Sequence, residues 1–183
     1  VLRVASRPLA MMSGSASTQL VPQIGEYERT STTVVNAYLR PVVEHYVTSL
    51  SRRLGTLKII APLMIMQSSG GVLPGPLVAE MPIFIIESGP AAGALGAQRL
   101  GKHLGLGDLI VFDMGGTTAK ACIVQDDQLI LAPDTEVGGS ASLGARMIKG
   151  AGFIVQVPTI DIAEAGAGGG SIAAIDAAGG LLV

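Results

Sequence analysis

Between Leu109 and Val124 a short apolar run, a polar hexapeptide with two adjacent glycines and a second apolar run follow one another without a break. Leu109–Phe112 has the length and make-up of a central strand, Asp113-Met114-Gly115-Gly116-Thr117-Thr118 is a loop, and Ala119–Val124 is a second strand. Strand, glycine loop, strand differs from the strand, loop, helix order of a P-loop. Two adjacent glycines predict backbone conformations closed to other residues and N–H groups brought against an anion, with Thr117 and Thr118 adding hydroxyl donors. Asp113, at the end of the first strand, can hold a magnesium ion through water and so offset the charge of a phosphate. The same string also reads as a tight hairpin turn with an aspartate cap.

The surroundings of this hairpin read as α/β. From Glu26 to Leu54, apolar residues recur at Val34, Val35, Tyr38, Leu39, Val42, Val43, Tyr46, Leu50 and Leu54, a helical spacing in which Pro41 predicts a kink or two abutting helices. Lys58–Gln67 reads as a buried strand, Ser68-Ser69-Gly70-Gly71 as a turn and Pro82–Ile86 as another strand. Ser88-Gly89-Pro90 predicts a helix start with Ser88 as the capping hydroxyl, followed by a small-residue helix over Ala91–His103 that Gly105 and Gly107 end. Asp126-Asp127 turns the chain into a strand at Leu129–Leu131. Beyond Pro133 glycines crowd, at 138, 139, 144, 150 and 152 and in Gly166-Ala167-Gly168-Gly169-Gly170-Ser171, without a fixed repeat, which argues against a solenoid. Residues 1–21 show no clean period and are expected to be a poorly ordered leader, with 22–183 as part of one domain that ends inside an expected strand, as a truncated domain would.

Composition narrows the classes of function. Twelve basic residues against 14 acidic ones give a net charge of −2, and the basic residues are scattered, so no footprint for nucleic acid is present. Apolar residues make up 49% and charged ones 14%, with 25 glycines, which fits buried strands joined by glycine turns. The mean hydropathy of +0.54 raises the question of a membrane. The longest apolar runs, Ile59–Met66 broken by Pro62 and Ile83–Ile86, fall far short of the ~20 residues of a spanning helix. A single cysteine, Cys122, excludes an internal disulfide framework and fits a reducing compartment, and Val1–Gly14 lacks the pattern of a secretory signal. A cytoplasmic protein acting on a small molecule is the expectation.

Glu87-Ser-Gly-Pro90-Ala-Ala-Gly-Ala, followed by a helix, a strand and the Asp113 loop, resembles a block in the ATPase superfamily of actin, sugar kinases and the seventy-kilodalton heat-shock chaperones. The resemblance implies a truncated α/β ribonuclease H-like ATPase domain of the actin-like superfamily. It also implies that Asp113 and Glu87 lie near a magnesium ion and its waters, with Gly115, Gly116, Thr117 and Thr118 on the nucleotide phosphates. The chaperone pattern has a third glycine where Thr117 stands. Six motifs in order resemble the large, ATP-binding subunit of the hydantoinase/5-oxoprolinase family: Glu26-Tyr-Glu-Arg-Thr-Ser-Thr-Thr33, Asn36-Ala-Tyr-x-Arg-Pro41, Met66-Gln-Ser-Ser-Gly-Gly71, Glu87-Ser-Gly-Pro-Ala-Ala-Gly93, Phe112-Asp-Met-Gly-Gly-Thr-Thr-Ala-Lys120 and Gly166-Ala-Gly-Gly-Gly-Ser-Ile-Ala173. That resemblance implies ATP-dependent ring opening of a cyclic amide such as a hydantoin or 5-oxoproline, with ATP and Mg2+ as cofactors and Asp113 and Glu87 as the catalytic, metal-holding carboxylates. The partners it implies are an N-terminal domain of the same protein, a hydantoinase B-type subunit or domain and the small cyclic amide, and the chain by itself is expected to be inactive. An acetone carboxylase-type subunit and a non-catalytic ATP-binding switch are the alternative readings.

Other residues carry less. Cys122, flanked by Ala121 and Ile123 with no basic neighbour, reads as a buried structural thiol. His45 and His103 are isolated and build no metal cluster. Lys120 points either at phosphate or at solvent, and Arg29 either anchors a ligand carboxylate or, more simply, pairs with Glu26 along the helix. Gly168, Gly169, Gly170 and Ser171 form either a second nucleotide-contacting loop or a place of close backbone packing. Nucleotide contact is favoured because three glycines give up backbone entropy that a simple turn would keep.

Overall fold

A computed structural model of the chain describes residues 3–5, 14–138 and 152–182. The expected glycines 139, 144 and 150 lie outside the described residues. Two short strands, β1 (Arg3–Ala5) and β2 (Gly14–Ala16), pair antiparallel and lead through α1 (Ser17–Leu20) into α2 (Glu26–Thr56), a helix of 31 residues. The end of the expected leader is therefore packed structure: Ser15, Ser17, Leu20 and Val21 are buried, the last two in a core cluster with Ile83, Val155 and Val157.

Helix α2 runs through Pro41 as one element, not as two abutting helices. Its apolar periodicity does not mark its buried face. Val34, Tyr38, Val42 and Tyr46 are exposed, whereas Ser31, Thr32, Thr33, Asn36, Ala37 and Val47 are buried. Thr32, Thr33 and Asn36 can occupy the interior because their hydrogen bonds are made there. Thr32 and Thr33 donate to the carbonyls of Glu28 and Arg29, both at 2.6 Å. Asn36 Nδ2 donates to Ser15 Oγ (2.9 Å) and Glu80 O (3.1 Å), and its Oδ1 accepts the Ile83 N–H (3.1 Å).

Two expected strands are corrected. Of Lys58–Gln67 only Met64–Met66 (β3) is extended, and it pairs with β4 (Val72–Pro74) at the surface rather than in the core. Lys58 takes a left-handed conformation (φ 59°) at the end of α2, and Ile59 and Ile60 are exposed. After the short helix α3 (Gly75–Glu80), Pro82–Ile85 forms a 3-10 turn, because Pro82 has no N–H and that of Ile83 is spent on Asn36 rather than on a sheet.

Helix α4 (Ser88–Leu104) forms as expected, with Gly105 left-handed at its end (φ 71°). Its cap differs: Ser88 is the first helical residue, Glu87 is the cap, and no side-chain cap bond is made. Strands β5 (Leu109–Met114) and β6 (Ala119–Gln125) pair antiparallel over six residue pairs, and β7 (Gln128–Leu129) closes on β6 through Asp126 and Asp127, both at positive φ. The expected strand over Leu129–Leu131 is divided: β8 (Leu131–Ala132) pairs with β11 (Thr159–Ile160) instead. Strands β9 (Thr135–Val137) and β10 (Phe153–Val155) form a further antiparallel pair. The main sheet has the order β12 (Ala163–Ala165), β6, β5, so β5 is an edge strand among the described residues and not the central one expected. Helix α4 covers one face of this sheet through Ala91, Ala94 and Leu95, which cluster with Val111 and Cys122 of the sheet and with Ile160 and Ile162 from the segment before β12. A last hairpin joins β13 (Ala174–Ile175) and β14 (Leu181–Leu182). The fold is mixed α/β, and no helix among the described residues is long and apolar enough to cross a membrane.

Candidate functional site

The β5–β6 hairpin turns at the hexapeptide singled out in the sequence. The N–H of Gly115 donates to Thr118 O at 2.9 Å, which closes the turn and leaves 115–117 exposed at the end of the sheet. Neither Gly115 nor Gly116 has a positive φ; among the described residues the glycines that do are Gly25, Gly70, Gly105, Gly138 and Gly179. The expectation that these two glycines serve an unusual backbone conformation is thus corrected. A Cβ built on Gly116 would meet nothing within 4 Å, so the space around that residue is open.

The segment that follows β12 fills the other side of the turn. Ala165 lies opposite Ala119 in the sheet, which delivers residues 168–171 directly onto the loop. Gly169 and Gly170 donate their N–H groups to Gly115 O and Gly116 O, each at 2.9 Å. The Gly168 N–H goes to Ser171 Oγ (3.0 Å) and that of Ser171 to Gly168 O (2.9 Å). All four N–H groups are taken up within the protein, so Gly168, Gly169, Gly170 and Ser171 come to the site as close backbone packing rather than as an open anion cradle.

Across the sheet, Asp113, Lys120 and Glu164 stand in one row, Asp113 opposite Lys120 on β5 and Glu164 opposite Lys120 on β12. Asp113 is exposed at the base of the loop. Lys120 points neither at solvent nor at open space over the loop. Its Nζ donates to Glu87 Oε2 at 2.7 Å and lies 3.8 Å from Glu164 Oε2. Glu87, at the start of α4, is fixed in turn through its N–H, which Ser68 Oγ accepts at 3.0 Å. Ser68 is fully buried; its N–H donates to Phe84 O (2.8 Å) and its carbonyl accepts the Ile160 N–H (2.9 Å), so one serine ties the turn, α4 and β11 together. Sequence reasoning assigned no role to Ser68 or Glu164. The Met66–Gly71 motif was the available signal for the first, and nothing local marks the second.

Among the described residues no group of three or more His, Cys, Asp or Glu side chains could hold a metal ion. Magnesium does not need such a cage, since it keeps several waters and takes one or two carboxylates besides phosphate. The exposed Asp113 carboxylate beside the open loop suits that demand. Glu87 does not while its carboxylate is engaged by Lys120. Cys122 is buried behind this row, and burial, with the nearby Asp161 charge adding to it, raises the thiol's pKa. Arg29 does not form the expected ion pair with Glu26; its Nη1 donates to Gln23 O at 3.3 Å.

Set beside known proteins, the chain matches the hydantoinase/oxoprolinase family over residues 29–183. It is 44% identical over 167 residues to an uncharacterized protein of Methanocaldococcus jannaschii, covering 91% of this chain and 24% of that protein. It is 34% identical to the caprolactamase subunit alpha of Pseudomonas jessenii (90% and 22% covered) and 31% identical to the 5-oxoprolinase of Saccharomyces cerevisiae (91% and 12%). Among solved structures, the ATP-dependent caprolactamase of Pseudomonas jessenii superimposes with a TM-score of 0.66 at 32% identity over 89% of this chain and 22% of that one. Nucleotide-free acetone carboxylase superimposes with a TM-score of 0.73 at 23% identity, over 91% and 22%, a likeness of fold. The chain spans a quarter or less of the length of these relatives.

Proposed function

The chain belongs to the hydantoinase/oxoprolinase family, and from that premise we propose that it is the nucleotide-binding part of an ATP-dependent enzyme that opens a cyclic amide. The observation that carries this reading is the Asp113 carboxylate exposed beside a glycine turn whose outer side is open. In the proposed roles, Gly115, Gly116, Thr117 and Thr118 receive the nucleotide phosphates through N–H and hydroxyl donors, and Asp113 holds magnesium through its water shell. Bound ATP with magnesium would supply the phosphoryl group that turns an amide oxygen into a leaving group, which a ring amide needs because it resists water at neutral pH. The protein's own contribution is positioning and charge: donors on a closed turn, and a carboxylate at the end of a paired strand. Glu87 is proposed to act through Lys120, setting where that ammonium lies, in place of the metal contact expected from the sequence.

The fold assignment that goes with this reading is a ribonuclease H-like ATPase domain over 22–183, with further domains of the protein and a second subunit or domain completing the reaction. The names of the relatives support the ring-amide reading and the second subunit: one is a caprolactamase subunit alpha and the other a 5-oxoprolinase. The test is phosphate release from ATP by the intact protein, with its partner, on addition of 5-oxoproline, caprolactam or hydantoin. Stimulation by at least one of them is expected. Stimulation by acetone and bicarbonate alone would favour the carboxylase reading, and slow turnover indifferent to every substrate would favour a nucleotide switch.

A further inference from the structure

The carbonyls of Gly115 and Gly116 are each pinned by an N–H of the glycine segment, from Gly169 and Gly170 respectively, at 2.9 Å. A peptide unit is planar and trans, so its C=O and the N–H of the following residue point in opposite directions. Pinning Gly115 O therefore aims the Gly116 N–H away from the glycine segment, and pinning Gly116 O does the same for the Thr117 N–H. Consecutive N–H groups aimed to one side form an anion-binding concavity. Here they face away from the glycine segment, and the space at Gly116 is open. We propose that Gly168, Gly169 and Gly170 are a backbone clamp that orients the Gly116 and Thr117 N–H groups toward an anionic ligand. The identity of that ligand, the phosphate chain of a nucleotide, rests on the reading above. Without the clamp either peptide can rotate and present its carbonyl to the anion, turning attraction into repulsion.

The fit explains why the segment is glycine. A Cβ on Gly168 would lie 2.7 Å from Gly115 O, Thr117 C and Thr118 N, and one on Gly170 would lie 2.8 Å from Gly116 O. These are backbone atoms, which cannot turn aside as a side chain can. A Cβ on Gly169 would have its nearest neighbour, Gly115 O, at 3.6 Å, an ordinary contact. None of the three has a positive φ, so alanine at any of them meets contact alone and no conformational penalty of the left-handed kind. The middle glycine is thus a built-in control for the outer two.

The experiment compares Gly168→Ala, Gly170→Ala and Gly169→Ala in the intact protein by two readouts. Hydrogen exchange without nucleotide reads the clamp: the amides at 169 and 170 should exchange about tenfold or more faster in the outer variants and near the wild-type rate in Gly169→Ala. Calorimetry with ATP and ADP reads its consequence: Kd should rise about tenfold or more in the outer variants and stay within about twofold in Gly169→Ala. Gly170→Ala, with a single close neighbour, serves if Gly168→Ala does not fold. Faster exchange with unchanged Kd, or the same behaviour in all three variants, overturns the proposal. Wild-type protein that binds neither nucleotide overturns the nucleotide reading, and the clamp as an anion device with it, before any variant is made.

Discussion

Lys120 and Cys122 lie two residues apart on β6 and illustrate what a single position can and cannot disclose. Lys120 was ambiguous in the sequence because its partners are Glu87, 33 residues away, and Glu164 on another strand; no local pattern relates them. Cys122 was legible, since its immediate neighbours, Ala121 and Ile123, are apolar and a thiol so placed packs rather than reacts. Its burial beside Ala91, Ala94, Ile160 and Ile162 agrees with that. The raised thiol pKa, from burial first and Asp161 second, fixes a sign. The folded state binds the thiol proton more tightly than the unfolded state does. The contribution is therefore fully present below the unfolded thiol's pKa and is lost as pH rises through the higher folded value. Maleimide labelling at pH 8 should accordingly be slow in the native protein and fast on unfolding, while Cys122→Ser costs about 1–2 kcal/mol of stability and leaves turnover within a few fold. Rapid native labelling, or loss of turnover with the fold intact, would contradict a structural thiol.

At the scale of elements, the hairpin and α4 were readable because their signals are local: glycine turns, apolar runs of strand length and a left-handed glycine at a helix end. Helix α2 and the segments after it were not. The apolar stripe of α2 lies partly in solvent, and what faces the interior is Asn36, whose three hydrogen bonds reach residues 21, 44 and 47 positions away. Pro82–Ile86 looked like a strand because it is apolar, yet Asn36 claims the N–H that a sheet would have used. Two of the family motifs, those around Asn36 and Ser68, thus carry scaffold hydrogen bonds. Asn36→Ala should cost roughly 3 kcal/mol, since it strands a buried N–H at Ile83 and a hydroxyl at Ser15. Urea unfolding should show a lower midpoint with an unchanged slope. A midpoint within error of wild type would mean that the Asn36 bonds do not hold β2, α2, α3 and the 3-10 turn together.

For the whole molecule, family membership and a mixed α/β fold were both legible, because six motifs in fixed order are a stronger signal than any one of them. The placement of the glycine segment was half legible: three glycines announced a close approach, but only the paired β6 and β12 reveal that the thing approached is the Asp113 turn. These relations make Asp113 the point on which the account rests. An asparagine there keeps shape and hydrogen-bonding capacity and removes the charge, so a turn-cap role would survive at a cost of about 1 kcal/mol or less, whereas a role in holding magnesium would not. The decisive measurement is magnesium-dependent, substrate-stimulated phosphate release by the intact protein and its Asp113→Asn variant, with circular dichroism to confirm folding. The account predicts a loss of several powers of ten in the variant. A near wild-type rate would make the turn an ordinary hairpin and remove the nucleotide site.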